Sequence, residues 1–500
     1  MPDSSRQMQP IERVPSGIPG LDTILKGGFL QGGLYLIMGR PGAGKTIFGN
    51  QLSFNHVAAG GRVVYVTLLA ESHGRMLAHL QSLDFYDPAP IADSLYYVSG
   101  YRVLEESGLD GLLDMLRRLI RDNRASLLVL DGLVTVESIA DTDLAFKRFI
   151  HELQVFVEVV NCTVFLLTQL DPHLPHPEHT MVDGLVELSD NRIGLRAVRE
   201  LEVRKFRGSD YLRGRHIFDI DNTGIVIHPR TEVRLSVPTI VPNEAWQKYG
   251  FGIPRMDEML HGGVIANSTT MLLGAPGSGK TLLGLHFLAA GAEQNQSGLY
   301  FGFYETPPRL VGKANKVGLN FGKAVDNGTI EIIWQPIVED SLDILAERLL
   351  EAVTKRHVKR LFVDGITAFV QTATYAERLG PFFTALSNEL RGRNVTSVFS
   401  VETKMLFSPV VEVPIEGMSA IIENIILLRY VELRSQLYRL ISIMKVREDS
   451  YDASIREFQI TDSGIDVAAT FESAEAILTG IARPYASSSP SARPRRRQGQ

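Results

Sequence analysis

Two glycine-rich stretches carry the clearest chemistry in the chain: Gly39, Arg40, Pro41, Gly42, Ala43, Gly44, Lys45, Thr46, and Gly274, Ala275, Pro276, Gly277, Ser278, Gly279, Lys280, Thr281. Both fit GxxxxGK[ST]. The glycines let consecutive backbone N–H groups turn inward around phosphate oxygens, at the positive end of the helix that follows. Lys45 and Lys280 would then bridge the β- and γ-phosphates of ATP, and the hydroxyls of Thr46 and Thr281 would reach Mg2+. A lone match could be a chance glycine turn, but two matches, each after an apolar run and before a helix-forming one, point to phosphate. Downstream, Asp131 closes the run LLVLD and Asp364 the run LFVD, each before a glycine. Either could be a turn residue; their recurrence at matched positions favours acids that hold the Mg2+ shell through water.

These residues need elements to position them, and the chain supplies the set twice. SGIPGLDTILKGGF at 16–29 returns as FGIPRMDEMLHGGV at 251–264, displaced by the same 235 residues as the glycine loops. A period of that size is a duplicated domain rather than a solenoid. Leu34–Met38, Val63–Val66, Leu127–Leu130 and Val164–Leu167 are short apolar runs of the kind buried in a parallel sheet. Thr46–Ala59 should form the helix after the first loop. Leu109, Leu112, Leu113, Leu116, Leu119 and Ile120 recur at helical spacing, as do Leu342, Leu345, Leu349 and Val353. The expectation is α/β: two tandem P-loop domains, each a mostly parallel sheet flanked by helices, with ligands beyond the carboxyl ends of the strands. Boundaries are placed at 1–12 for an N-terminal tail, 13–232 and 248–482 for the domains, 233–247 for a linker and 483–500 for a basic, disordered tail.

Bulk properties narrow the class. Of 500 residues, 44% are hydrophobic and 22% charged, the balance of an ordinary soluble globular protein. The one cysteine, Cys162, rules out an internal disulfide and leads into an apolar run, so it reads as a core residue. MPDSSRQMQP lacks a signal-peptide layout and no run is long enough to span a bilayer, which makes the cytoplasm the expected compartment. A net charge of -6 and a pI near 6.1 offer no general field for nucleic acid. The basic cluster Arg493, Arg495, Arg496 and Arg497 sits in the Ser/Pro-rich tail and reads as a solubilising end.

The pattern GIPGLDxxLxGG ahead of a P-loop, duplicated in one chain, resembles the KaiC family, double-domain relatives of the RecA and RadA recombinases. LRYVELRSQLYRLISIMKVR at 428–447 and FESAEAILTG at 471–480 are similar too, so the resemblance runs from about Val14 to about Arg483. It implies two-tiered homohexamers with ATP between neighbouring subunits, slow hydrolysis and, in some members, autophosphorylation in the second half. Lys205 and Arg207 flank Phe206 as Lys445 and Arg447 flank Val446, so each pair shares a strand face. A solvated edge strand explains this blandly; the resemblance gives the pairs to the γ-phosphate of a neighbouring subunit. The family commonly has two adjacent glutamates after the second strand. Here the first half reads Ala70, Glu71, Ser72 and the second Tyr304, Glu305, Thr306, so Glu71 and Glu305 are the candidate catalytic carboxylates, one per half. Clock-type members carry adjacent Ser and Thr phosphoacceptors where this chain has Ser419 and Ala420, which leaves Ser419 as the candidate phosphosite and argues against an ordered two-site cycle.

Gln169 in the first half, and Glu402 with Thr403 in the second, follow the fourth β-run, where RecA-like folds place a sensor of the γ-phosphate. His173, His176 and His179 sit three apart among prolines, which preclude a regular helix, and no cysteine or carboxylate cluster completes a metal site. The leading expectation is a slow, hexameric, Mg2+-dependent regulatory ATPase with serine autokinase capacity, whose partners by family analogy are KaiB-like proteins or two-component sensors and response regulators. The alternatives are a RadA-like DNA-dependent ATPase, disfavoured by acidic charge and by the lack of a zinc-binding cysteine cluster, and a scaffold that ATP cements without turnover.

Overall fold

A computed structural model describes residues 12–68, 73–169, 177–237, 246–336, 341–403, 421–433 and 435–469. The chain divides into two compact units, Met1–Arg234 and Leu235–Gln500.

In the first unit the strands of the large sheet are β1 (Leu34–Gly39), β2 (Val63–Thr67), β3 (Leu95–Ser99), β4 (Leu127–Asp131), β5 (Thr163–Gln169), β6 (Gly184–Ile193), β7 (Arg196–Phe206), β8 (Arg215–Asp221) and β9 (Gly224–His228). The principal helices are α1 (Lys45–Ala58), α2 (His73–Leu80), α3 (Tyr101–Asn123), α4 (Leu133–Ile139) and α5 (Asp143–Val160). The sheet runs β9-β8-β7-β6-β1-β5-β4-β2-β3. β1 to β6 are mutually parallel and β7 to β9 return antiparallel.

The second unit repeats the order strand for strand: β10 (Thr269–Gly274), β11 (Gly298–Gly302), β12 (Ile330–Trp334), β13 (Arg360–Asp364), β14 (Thr396–Glu402), β15 (Asn424–Leu433), β16 (Gln436–Val446), β17 (Arg456–Thr461) and β18 (Gly464–Val467), arranged β18-β17-β16-β15-β10-β14-β13-β11-β12. Its helices include α6 (Lys280–Glu293), α7 (Pro307–Lys316), α8 (Phe321–Asp326), α9 (Leu342–Arg356), α10 (Ile366–Thr372) and α11 (Leu379–Gly392).

The central strands of the parallel part are largely buried and mostly apolar because helices cover both faces. On one face of the first sheet Tyr35, Ile37, Tyr65, Val129 and Phe165 pack with Phe48 and Leu52 of α1 and with Met76 and Leu80 of α2. On the other, Leu36, Val64, Val66, Leu128 and Leu166 pack with α3 and α5. Alternate residues of one strand therefore serve opposite layers. The leucine-rich run at helical spacing lies in α3, but Gly108 breaks the helix with φ 62 and ψ −160, so the run begins after a kink.

Local chemistry explains the repeated GIPxxD stretch. The Asp22 carboxylate accepts the N–H groups of Ser16 (2.9 Å) and Gly17 (3.2 Å), and Asp257 accepts those of Phe251 (2.7 Å) and Gly252 (3.0 Å). Each acid thus pins the entry of its unit. A second repeated clamp ties the loop helix to the far edge of the sheet. Gln51 of α1 gives and takes hydrogen bonds with the backbone of Ile225 in β9 (3.2 and 2.7 Å), and His286 of α6 accepts the Ile465 N–H of β18 (3.1 Å). Among the described residues no helix is long and apolar enough to cross a membrane.

Candidate functional site

Each glycine loop joins the carboxyl end of the central parallel strand to the buried helix behind it. Gly44 (φ 101) caps α1 and Gly279 (φ 106) caps α6, and Gly42 and Gly277 are at φ 82 and φ 72. This left-handed backbone is strained for any residue with a Cβ, which is why the loop is built from glycine. A Cβ added at Gly42 would meet nothing within 4 Å, so the first loop is open at its crown. Gly39 and Gly274 end the strands that lead into the loops, and Pro41, Ala43, Pro276 and Ser278 fall in the turns that follow.

The lysines lie over their own loops. Lys45 Nζ donates to the carbonyls of Gly39 (2.7 Å) and Arg40 (3.0 Å), and Lys280 Nζ to those of Gly274 and Ala275 (both 2.8 Å). Burial lowers the pKa of Lys45, an effect opposed by Asp131; it lowers that of Lys280 likewise, opposed by Glu402 and Asp364. A half-buried ammonium with two hydrogens on backbone carbonyls can give the third to a phosphate oxygen.

The structure brings the threonine and the acid of each half together. Thr46 Oγ1 donates to Asp131 Oδ2 (3.0 Å) and Thr281 Oγ1 to Asp364 Oδ2 (2.8 Å). A hydroxyl and a carboxylate side by side at the foot of a phosphate loop are the hard oxygen donors that Mg2+ takes, so these residues fit the ion. Tyrosines support the acids from the adjacent parallel strand: Tyr65 donates to Asp131 (3.0 Å) and Tyr300 to Asp364 (2.9 Å). Burial and the neighbouring carboxylate push both phenols well above the usual tyrosine range, which keeps them donors. Sequence reasoning missed this pair, although the two tyrosines are separated by the same 235 residues as the loops.

Around this shared core the units differ. Beside Asp364 on β14 stands Ser400, whose hydroxyl donates to Oδ1 (2.7 Å) and accepts the Gly365 N–H (2.8 Å). The residue opposite Asp131 on β5 is Leu167, which offers no hydroxyl. β2 ends in Thr67, bonded to His73 of α2 (2.8 Å), whereas β11 ends in Gly302. Level with the loop glycine are Gln169 in the first unit and Glu402 in the second, and Glu402 is close enough to act on Lys280 and Tyr304. Tyr304 lies across Gly365, next to Asp364, with its phenol pKa raised by burial and by Glu402 and Asp364. Glu305 is ion-paired with Lys313 of α7.

The basic pairs are not at the loops of their own units. Lys205 is level with Leu185 and, through it, with Leu36, three residues before Gly39, and Lys445 is level with Ile425 and Met271, three before Gly274. Each pair is thus about 10 Å back along the strand and two strands across from the loop. Lys205 and Arg207 both donate to the Thr180 carbonyl (3.1 and 2.8 Å), with Phe206 buried between them, so the two cations do share a face. Lys445 donates to the Ile422 carbonyl (2.6 Å). Each pair follows a bulge, at Leu185/Val186 and at Ile425/Ile426, which turns the strand end at matched points. Glu71, Ser419, His173 and His176 lie outside the described residues; His179 ends in a short 3-10 turn, and Cys162 is buried.

Comparison with known proteins follows the same duplication. The family model for the KaiC ATPases matches residues 14–232 and again 250–472. The circadian clock oscillator protein KaiC of Thermostichus vulcanus is 27% identical, aligned over 94% of this chain and 92% of its own. That of Synechococcus elongatus is 26% identical over 96% and 93%, and KaiC 1 of a Synechocystis strain 24% over 94% and 92%.

Proposed function

Because the chain belongs to the KaiC ATPase family, we propose that it is a regulatory ATPase that holds Mg-ATP at both glycine loops and hydrolyses it slowly. The observation that carries this is the twofold occurrence of one constellation: a loop lysine, a threonine hydroxyl bonded to a strand-end aspartate, and a tyrosine steadying that aspartate. The backbone of residues 39–46 and 274–281 would take the phosphates, Lys45 and Lys280 the β,γ-bridge, and Thr46, Asp131, Thr281 and Asp364 the Mg2+ shell. Bound Mg2+ would supply charge neutralisation at the terminal phosphates.

Lys205, Arg207, Lys445 and Arg447 are assigned to the nucleotide of a neighbouring subunit, as their distance from their own loops supports. This calls for a ring, and a hexamer is the family's form. Glu71 and Glu305 are the assigned water-orienting carboxylates and Ser419 the assigned acceptor of a serine autokinase activity. The domain limits 13–232 and 248–482, a cytoplasmic setting and a KaiB-like or two-component signalling partner belong to the same proposal. Turnover this slow suits a switch or timer whose conformation is read by that partner. Within it, the Glu305–Lys313 ion pair favours weak hydrolysis in the second unit, where ATP then acts chiefly to cement the assembly.

The deciding experiment is ATP turnover, phosphopeptide mapping and oligomer size with and without ATP, for wild type beside Lys45→Ala and Lys280→Ala. Loss of turnover in Lys45→Ala, with assembly weakened in Lys280→Ala, is expected. A wild-type rate no higher than that of the double variant would end the enzyme reading, and a monomer in saturating ATP would end the shared site.

A further inference from the structure

The last residue of β14 gives the second phosphate loop a charge that the first does not have. Glu402 is in register with Gly274, from which the loop leaves the sheet. It is two residues on from Ser400, whose hydroxyl reaches Asp364 (2.7 Å). Its side chain therefore leaves the sheet on the face of Asp364, where Val398 and Phe362 pack with the loop helix α6. The N–H of Thr403, the next residue, donates to the Gly274 carbonyl (3.1 Å), and Lys280 Nζ donates to the same oxygen (2.8 Å). The end of β14 and the loop lysine thus meet at one atom. Glu402 is exposed, and of the two carboxylates that offset the burial of the Lys280 ammonium it has the larger effect, ahead of Asp364. At the matched place, level with Gly39, the first unit has Gln169, which carries no charge. The loops differ in the same sense, because Arg40 follows Gly39 where Ala275 follows Gly274.

ATP differs from ADP by one phosphate and its negative charge. A carboxylate beside the lysine that takes the β,γ-bridge repels that last phosphate more than the two before it, because the repulsion falls with distance. A glutamine does not repel, and its amide can donate to a phosphate oxygen. We propose that Glu402 sets the nucleotide preference of the second unit by weakening its hold on ATP relative to ADP, a penalty that Gln169 does not impose on the first. The pair of loops is then unequal in what it binds as well as in what it turns over. This rests on the reading of both loops as nucleotide sites.

The test uses the full chain carrying Lys45→Ala, so that binding reports the second loop, with ADP and a non-hydrolysable ATP analogue titrated in excess Mg2+. Removing one solvent-reached charge close to the terminal phosphate is expected to raise the affinity for the triphosphate about tenfold in Glu402→Gln, with that for ADP nearly unchanged. Glu402→Asp, which keeps the charge, should keep the preference for ADP. The reciprocal change, Gln169→Glu in a Lys280→Ala background, should weaken the triphosphate relative to ADP by a similar factor in the first loop. A structural role would move both nucleotides together. An unchanged ratio of the two affinities in Glu402→Gln, or an equal shift of both, would therefore overturn the proposal. If Glu402→Gln fails to fold, Gln169→Glu carries the same decision. Binding of neither nucleotide above the level of the Lys45→Ala, Lys280→Ala double variant would instead remove the second loop as a nucleotide site, whereas binding of both at a ratio untouched by these changes would remove the role of Glu402 alone.

Discussion

At the scale of single residues, the aspartates are held more firmly than a strand-end acid before a glycine requires. Asp364 receives Thr281, Tyr300 and Ser400, one from the loop helix and one from each flanking strand. Partners of this kind orient a metal-binding carboxylate without touching the metal, and losing one typically costs about 10- to 100-fold in metal affinity. Tyr300→Phe is therefore expected to raise the Mg2+ concentration needed for nucleotide retention in the second unit by about tenfold. Metal-free ATP binding should hardly change. An Mg2+ titration of nucleotide binding in the Lys45→Ala background measures both; an unshifted midpoint would reduce Tyr300 to packing. Ser400→Ala should act in the same direction, and the first unit has no counterpart because Leu167 occupies that place.

At the scale of elements, the two clamps between the loop helix and the last strand use different chemistry for one task. Gln51 bonds β9 with an amide that does not titrate, but His286 accepts the Ile465 N–H and must be neutral to do so. Burial lowers the His286 pKa from the usual 6.5 to about 4. The unfolded chain therefore binds the proton more readily, so the stabilisation is complete above about pH 6.5 and is lost as pH falls toward 4. Between about pH 7 and pH 5 the second unit should lose about 2 kcal/mol from this group alone. His286→Gln, which copies the first unit, should abolish that slope while leaving stability at neutral pH within about 1 kcal/mol. Denaturant unfolding at the two pH values checks it, and an unchanged slope would assign the acid sensitivity elsewhere. This asymmetry also shows where sequence was readable. The loops, the acids and the alternation of strands and helices are local patterns, and the duplication exposes them twice. What Tyr65, His73 and Ser400 touch depends on cross-strand register and on which helix covers which face, which no spacing along the chain encodes. The tyrosines alone left a trace, in their common offset.

At the scale of the whole molecule, the positions of the basic pairs decide whether one chain is a complete enzyme. In each unit the pair lies away from the loop, back along the strand and two strands across, with Lys205, Arg207 and Lys445 bonded to backbone carbonyls on that side. Side chains there cannot serve their own loop without dismantling the sheet, but a neighbour in a ring could bring its loop to them. That assignment predicts complementation. In a Lys280→Ala background, a subunit with Lys45→Ala keeps the pair and loses the loop, while one with Lys205→Ala and Arg207→Ala keeps the loop and loses the pair. Each alone should be nearly inactive in ATP turnover. Mixed one to one and allowed to exchange, a random ring has about a quarter of its interfaces composed of an intact loop facing an intact pair. Turnover should therefore rise to about a quarter of the rate of the Lys280→Ala parent. A mixture no faster than its components, in rings shown to have exchanged subunits, would return the pairs to the bland role of a charged strand end and leave each loop to work alone.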